Sequence, residues 1–266
     1  DRRSFVLASL AALLPARASA SWWPSRPEPR TFDYGPAKLD IYAPDGAKGL
    51  PVVVYVHGGA WRLGNRSQVH AKPGFLLDNG FCFVSIDYRM LPGADVATQA
   101  GDVAKAYAYV RANIASHGGD PSRMAAMGHS AGCHLVALTG MRGDLAGVAA
   151  LVLDDTRAYD LEALAKSGGM VRAYARAFPD RAQWHALSPA SYVDGRKHPP
   201  TFIAYSGASG RGAVSTEFAG RLRATGTKVT LFDGSGYTHM SIDRRLGKDG
   251  DALSEAVLGF LKAAIA

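Results

Sequence analysis

Short runs of apolar and β-branched residues, separated by helical stretches, most constrain how this chain can fold. The clearest run covers residues 51–57 (Pro-Val-Val-Val-Tyr-Val-His) and is typical of a strand buried on both faces. Further strands are predicted at residues 31–43 (a hairpin), 80–88, 123–128, 148–153, 200–206 and 228–232. Helices are predicted at residues 94–115, 131–141, 214–224 and 252–264. This alternation predicts an α/β fold with a mostly parallel sheet covered by helices on both faces.

One stretch, residues 157–197, fits the alternation poorly. It is rich in Tyr, Trp, Phe and Arg and lies between two predicted strands of the sheet. Connections at the carboxyl edge of a parallel sheet commonly carry specificity. We therefore predict one domain over residues 21–266, in which residues 157–197 form a short lid insertion over that edge.

Residues 1–20 differ in character from the rest of the chain. Arg2 and Arg3 precede an apolar stretch over residues 5–14, and Ala18-Ser19-Ala20 follows it. This order is typical of a cleaved export signal, and the paired arginines resemble a twin-arginine signal. We expect residues 1–20 to be removed and the mature chain to be periplasmic or secreted. An amphipathic helix of the mature protein is the alternative.

The charge balance bears on possible partners. The chain has 30 Lys and Arg against 23 Asp and Glu, a formal net charge of +7. The basic residues are scattered and do not alternate with aromatic residues, which argues against a nucleic-acid partner. No apolar run reaches the roughly 18 residues of a membrane-spanning helix. We expect neither nucleic-acid binding nor an integral membrane segment, and the oligomeric state stays open.

The sequence offers little for a metal site or a disulfide. Its two cysteines, Cys82 and Cys133, both lie in apolar predicted elements, which favours buried free thiols, although an exported protein could pair them. No Cys/His cluster has zinc spacing, and His129 and His134 are five residues apart, so they share no helical face. We predict no metal and no organic cofactor.

The pentapeptide at residues 128–132, Gly-His-Ser-Ala-Gly, lies between a predicted strand and a predicted helix. In that context the G-x-S-x-G pattern is typical of a tight turn that exposes its serine at the sheet edge. The serine oxygen then lies at a helix N-terminus, where the amide dipoles favour developing negative charge. The pattern predicts Ser130 as a nucleophile, with a glycine-rich turn without chemistry as the alternative.

Two further segments agree with a nucleophilic serine. Gly58, Gly59 and Ala60 follow the first buried strand, and backbone amides there, with that of Ala131, could hold the oxyanion that acyl transfer creates. His239 lies after the last predicted strand and before the C-terminal helix, where the general base of such a fold is expected. A satisfied surface histidine is the alternative for His239.

These motifs resemble those of the α/β-hydrolase superfamily, in its esterase/lipase branch with an H-G-G-x-W loop. Carboxylesterases, feruloyl-esterase-like proteins and arylformamidases are the members that the chain is most similar to. The matching positions are Gly58, Gly59, Trp61, residues 87–89, residues 128–132 and His239. The resemblance implies an α/β-hydrolase fold, an acyl-enzyme on Ser130, a small-molecule ester as substrate, and a substrate pocket near Trp61 and Tyr88. An amidase of arylformamidase type, or an inactive hydrolase fold that binds a ligand, is the alternative.

The acid of the triad departs from this pattern. Relatives carry an Asp in the turn after the penultimate strand, but residues 206–212 contain no carboxylate. Asp154 and Asp155 end the preceding strand, and some lipases of the superfamily place their acid there. We predict Asp154 as the acid, with Asp155, Glu217 or a dyad without an acid as alternatives.

Overall fold

The structure is a computed structural model that describes residues 28–208 and 210–266. The predicted export signal at residues 1–20 lies outside these residues, so it stays a prediction. None of the helices in the described ranges is long and apolar enough to cross a membrane.

A single eight-stranded sheet organises the described chain. Its order is β1-β2-β4-β3-β5-β6-β7-β8; β2 runs antiparallel to β1 and β4, and the other neighbours are parallel. The strands are β1 (Arg30–Asp33), β2 (Lys38–Tyr42), β3 (Leu50–Val56), β4 (Cys82–Ile86), β5 (Gly119–His129), β6 (Ala150–Asp154), β7 (Thr201–Ser206) and β8 (Val229–Gly234). The predicted α/β class with a mostly parallel sheet is confirmed.

Helices connect the parallel strands. They are α1 (Lys72–Asp78), α2 (Val96–Asn113), α3 (Ala131–Arg142), α4 (Leu161–Lys166), α5 (Arg172–Ala177), α6 (Trp184–Leu187), α7 (Arg211–Ala224), α8 (His239–Arg245) and α9 (Ala252–Ile265). The four predicted helices correspond to α2, α3, α7 and α9. Helix α7 begins three residues earlier than predicted, directly after Gly210, whose φ of 75° is readily adopted by glycine.

Both faces of the sheet are buried, which explains the continuous apolar runs. Successive side chains of a strand point to opposite faces. In β3, Val52 and Val54 therefore pack into the cluster with α2 and α3, whereas Val53 packs with α1 and α9. Cys82 and Cys133 are both buried and free, as expected, and belong to the first of these clusters.

The predicted lid segment, residues 157–197, holds α4, α5, α6 and short 3₁₀ turns between β6 and β7. It packs closely onto the loop after β3 and onto α3. The Phe178 ring lies edge-on to Trp61 with centroids 4.9 Å apart, and His134 Nε2 donates to the Leu187 carbonyl at 2.8 Å. These contacts place the ends of α5 and α6 at the carboxyl edge of the sheet, whereas the action of the segment as a lid stays a prediction.

Candidate active site

Strand β5 ends and helix α3 begins on either side of Ser130. The serine has φ 56° and ψ −114°, a strained backbone conformation for a residue other than glycine. Glycines make the turn possible, because a Cβ on Gly128 would collide with the Gly132 carbonyl, and one on Gly132 with the Val56 carbonyl. The turn therefore fixes Ser130 at the sheet edge, at the first turn of α3.

A chain of hydrogen bonds links Ser130 to a histidine and a carboxylate. His239 Nε2 lies 2.9 Å from Ser130 Oγ, and His239 Nδ1 lies 2.7 Å from Asp155 Oδ2. Because a carboxylate only accepts, Nδ1–H donates to Asp155 and leaves Nε2 free to accept from the serine hydroxyl. His239 is the first residue of α8, and a capping box formed by Thr238 and Ser241 fixes the start of that helix. The two predicted residues, Ser130 and His239, are thus brought together.

The carboxylate that meets His239 is that of Asp155, which corrects the contact predicted for Asp154. Asp154 is the last residue of β6, paired in register with His129 and Ala204, and its buried carboxylate oxygens have no hydrogen-bond partner among the described residues. Asp155 follows with φ 63°, and at this turn its side chain meets His239. Sequence alone places two adjacent acids at the strand end but does not show which of them the backbone turns toward His239.

Glu217, the other alternative, lies away from the histidine. It is exposed on α7, where its carboxylate accepts from Arg221 at 2.7 Å. The alternative of a dyad without an acid also fails, because Asp155 occupies the Nδ1 side of His239.

The loop after β7 lacks the usual acid, and the residues on either side of it, at the end of β7 and the start of α7, instead donate to Asp155. The Ser206 amide donates to Asp155 Oδ1 at 2.9 Å, and Arg211 Nη1 donates to the Asp155 carbonyl at 2.9 Å and lies 3.3 Å from Oδ1. Burial opposes ionisation, yet the hydrogen bond to His239, the Arg211 charge and the Ser206 donor together hold the pKa of Asp155 below its ordinary value. The sequence analysis did not identify Arg211 as a site residue. The only sign of its role in the sequence is that an arginine follows a turn without a carboxylate.

Asp154 is in the opposite electrostatic situation. Burial, followed by the nearby carboxylates of Asp243 and Asp155, raises the pKa of Asp154 well above its ordinary value. The carboxyl group of Asp154 therefore keeps its proton to a higher pH than an ordinary aspartate, whereas that of Asp155 loses its proton at a lower pH.

Replacing Asp154 with asparagine is expected to stabilise the fold increasingly as the pH rises. The folded pKa of Asp154 lies above the unfolded one, so its contribution to stability is complete below about pH 4 and falls as the pH rises toward the folded pKa. Asparagine does not titrate, so the variant should gain up to about 1.4 kcal/mol per pH unit relative to the parent over that window. Denaturant unfolding at several pH values between 4 and 8 measures the difference; a difference that stays constant with pH contradicts a raised pKa of Asp154.

The predicted oxyanion loop borders Ser130. A Cβ added to Gly58 would lie 3.1 Å from the Ser130 Cβ, and Gly59 and Ala60 have φ values of 123° and 52°. Such backbone lets successive amides face one side of a turn. Neither the Gly59 amide nor the Ala131 amide donates a hydrogen bond to another described residue. The structure thus leaves unpaired amides on both sides of Ser130, and their role as an oxyanion hole stays a prediction.

Of the two residues expected at the substrate pocket, only Trp61 lines it. Gly58, Gly59, Ala60 and Trp61 border a cleft of about 580 Å³ that also contains Ser130 and His239. Trp61 is mostly buried, and its Nε1 donates to His134 Nδ1 at 3.3 Å.

Tyr88 does not line the cleft, which corrects the prediction of a pocket residue. Its ring stacks on His57 with centroids 4.5 Å apart, and its hydroxyl donates to the His57 carbonyl at 3.1 Å. Tyr88 lies just after β4, the strand that neighbours β3 in the sheet. Its side chain therefore supports the residue at which the oxyanion loop begins. Tyr88 therefore packs against His57, which precedes the oxyanion loop, and does not contact the cleft.

His129, Asp155 and His239 are the described residues grouped closely enough to resemble a metal-ligand set. Both ring nitrogens of His239 are engaged by Asp155 and Ser130, and His129 Nε2 donates to the His239 carbonyl at 2.9 Å. Burial lowers the pKa of His129 to about 4, so its ring is neutral at neutral pH. The donor set is satisfied by internal hydrogen bonds, an arrangement that fits a triad better than a metal site.

Sequence comparison matches residues 39–162 to the BD-FAE family model. Esterase LipQ of Mycobacterium tuberculosis is 31% identical over 255 residues, which cover 86% of this chain and 60% of that protein. A probable isoprenylcysteine alpha-carbonyl methylesterase of Oryza sativa subsp. japonica is 40% identical over 103 residues, which cover 38% of this chain and 24% of that protein. The chain thus spans less than two thirds of the length of these relatives.

Solved structures share the fold at low sequence identity. The carboxylesterase EstE1, cloned from a metagenomic library, superposes with a TM-score of 0.74 at 22% identity, covering 90% of this chain and 89% of EstE1. The esterase Est2 of Thermogutta terrifontis gives 0.70 at 22% identity, covering 89% and 91%. The sheet order and the turn at Ser130 agree with these solved structures, so the chain has the α/β-hydrolase fold, and the sequence relatives that it resembles are named as esterases.

Proposed function

We propose that the chain is a carboxylic-ester hydrolase that acts through an acyl-enzyme on Ser130. The observation that carries the proposal is the hydrogen-bonded series from Ser130 Oγ through His239 to Asp155. The names of the relatives, which include an esterase and a methylesterase, support an ester rather than another acyl substrate.

Each polar group of the site has a task in the proposed reaction. His239 Nε2 removes the hydroxyl proton as Ser130 Oγ attacks the ester carbonyl carbon, and the carbonyl oxygen becomes negative. The unpaired amides of Gly59 and Ala131 then stabilise that oxyanion. The ionised Asp155 stabilises the imidazolium that forms on His239.

The tetrahedral intermediate then collapses in the direction of the acyl-enzyme. The bond between the carbonyl carbon and the alcohol oxygen breaks, and His239 gives its proton to the departing alcohol. Water next attacks the acyl-enzyme with His239 again as base, releasing the acid and restoring Ser130. Arg211 and the Ser206 amide hold Asp155 in position throughout, because their hydrogen bonds leave its other oxygen directed at His239.

The two alternatives are now unequally supported. An inactive binding protein would be favoured if no carboxylate met His239, but Asp155 does so. An amidase of arylformamidase type would use the same machinery, so it is separated from an esterase by substrate and not by geometry.

Turnover on p-nitrophenyl acetate, methyl ferulate and N-formylkynurenine tests the proposal. We expect hydrolysis of the two esters at rates well above that of the formamide. Turnover of N-formylkynurenine alone would contradict the ester assignment in favour of an amidase. No turnover of any substrate by folded protein would instead favour a binding protein.

A further inference from the structure

The large apolar side chains that are strongly exposed on the described chain gather at the mouth of the catalytic cleft. They are Leu63, 65% exposed, Val171, 52% exposed, and Met240, 50% exposed. All three line the cleft, although they come from the loop after β3, from the start of α5 and from the start of α8. Exposed apolar groups that converge from separate segments mark a binding surface, whereas single ones scattered over a protein need no explanation.

An arginine accompanies each of these apolar residues. Arg62 precedes Leu63, Arg172 follows Val171, and Arg244 lines the cleft one turn beyond Met240. All three arginines are exposed, and none of their guanidinium groups makes an ion pair or hydrogen bond within the part of the chain that the structure describes. We call these three arginines and three apolar residues the rim patch.

The carboxylate of Asp243, beside the rim patch, does not neutralise the positive charges of its arginines. Asp243 lines the cleft, but its carboxylate is buried, accepts from Lys72 Nζ at 2.6 Å and from Tyr55 at 2.9 Å, and lies 3.2 Å from His70 Nε2. The rim patch is therefore apolar and cationic at once, with its positive charges facing solvent.

This combination discriminates between the possible occupants of the rim patch. The apolar tail of an isolated substrate would use the three apolar side chains and leave the arginines without a function. A second copy of this chain in a two-fold dimer would bring the same positive patches against each other, and like charges repel. An anionic lipid surface uses both features, since arginines interact with its headgroups and apolar side chains insert between them.

We propose that the rim patch binds the surface of anionic lipids, with the cleft opening onto that surface. The six side chains would then orient Ser130 toward molecules held in the lipid layer. The consequence that the chain takes its ester from the surface rests on the proposed function, whereas surface binding itself does not.

Vesicle co-sedimentation of the Ser130→Ala variant tests the proposal without hydrolysis. We expect the variant to sediment with vesicles of phosphatidylcholine mixed with phosphatidylglycerol and to stay in solution with phosphatidylcholine alone. Replacing Arg62, Arg172 and Arg244 together with glutamine should weaken the binding about 100-fold, since each basic residue near an anionic surface contributes roughly a fivefold factor. The substitution Leu63→Ser should weaken binding at high salt as well, where headgroup attraction is screened.

A matched control removes three positive charges elsewhere. Lys48, Lys197 and Lys228 are exposed and precede β3, β7 and β8, at the edge of the sheet opposite the cleft. Their joint replacement with glutamine should leave vesicle binding within about threefold of the parent, because charges beyond the Debye length of the surface interact little with it.

Three results would overturn the inference. They are no sedimentation with anionic vesicles, equal losses in the arginine and lysine variants, and a concentration-dependent dimer that the arginine substitutions alter. Retained turnover of soluble esters by the parent in any of these cases would leave the proposed function standing, so the two failures are distinguishable.

Discussion

Replacing Asp155 with asparagine is expected to lower kcat by about 10,000-fold, because an amide at this position favours the wrong imidazole tautomer and cannot stabilise imidazolium. Asparagine retains the size of the side chain, and its carbonyl oxygen can still accept from the Ser206 amide. The fold should therefore persist, which circular dichroism and thermal unfolding check. Initial rates on p-nitrophenyl acetate measure the effect.

The matched control is Asp154→Asn, one residue away in the same turn. Asp154 is buried, has no hydrogen-bond partner in the described chain and has a raised pKa, so its replacement should change kcat by no more than about tenfold. Equal losses in the two variants, or a larger loss with Asp154→Asn, would return the acid to Asp154.

Replacing Ser130 with alanine is expected to lower kcat by about a millionfold, the scale on which removal of a serine nucleophile acts. Alanine meets the same backbone strain as serine at φ 56°, so the variant should unfold at a midpoint close to that of the parent. Ester turnover by enzyme free of contaminating esterase measures the loss, and residual activity within about tenfold of the parent would exclude Ser130 as nucleophile.

The site differs from the pattern of the α/β-hydrolase superfamily, which the chain resembles, in the strand that its acid follows. The resemblance implied an Asp after β7, but here the carboxylate that meets His239 follows β6. Ser206 at the end of β7 and Arg211 at the start of α7 donate to this residue. Adjacent parallel strands end at the same edge of the sheet, so an acid from either loop can reach the histidine after β8. The triad is thus retained with its acid moved by one strand.

Features set by local sequence were predictable. Continuous β-branched runs identified the buried strands, since both sheet faces are covered and no alternation is required. The turn around Ser130 was predictable from its two glycines, because the surrounding backbone leaves no room for a Cβ at Gly128 or Gly132. His239 was predictable from its place between the last strand and the last helices.

Features set by contacts between distant segments were not predictable. The choice between Asp154 and Asp155 depends on one positive φ, and the role of Arg211 depends on a helix that begins three residues before its apolar pattern does. The resemblance implied that Tyr88 lies near the substrate pocket, but its ring stacks on that of His57. These side-chain directions depend on how strands from separate parts of the chain pack side by side, so the sequence of one segment does not reveal them.

The central claim is that Ser130 is the nucleophile that His239 and Asp155 activate, and covalent labelling tests it most directly. A fluorophosphonate probe loses fluoride as a nucleophilic serine oxygen attacks its phosphorus, and mass spectrometry of the digested protein locates the adduct. We predict one adduct, on the peptide that contains Ser130, absent from Ser130→Ala and formed far more slowly in Asp155→Asn than in Asp154→Asn. An adduct that persists in Ser130→Ala, or that maps to another residue of the parent protein, would contradict the claim.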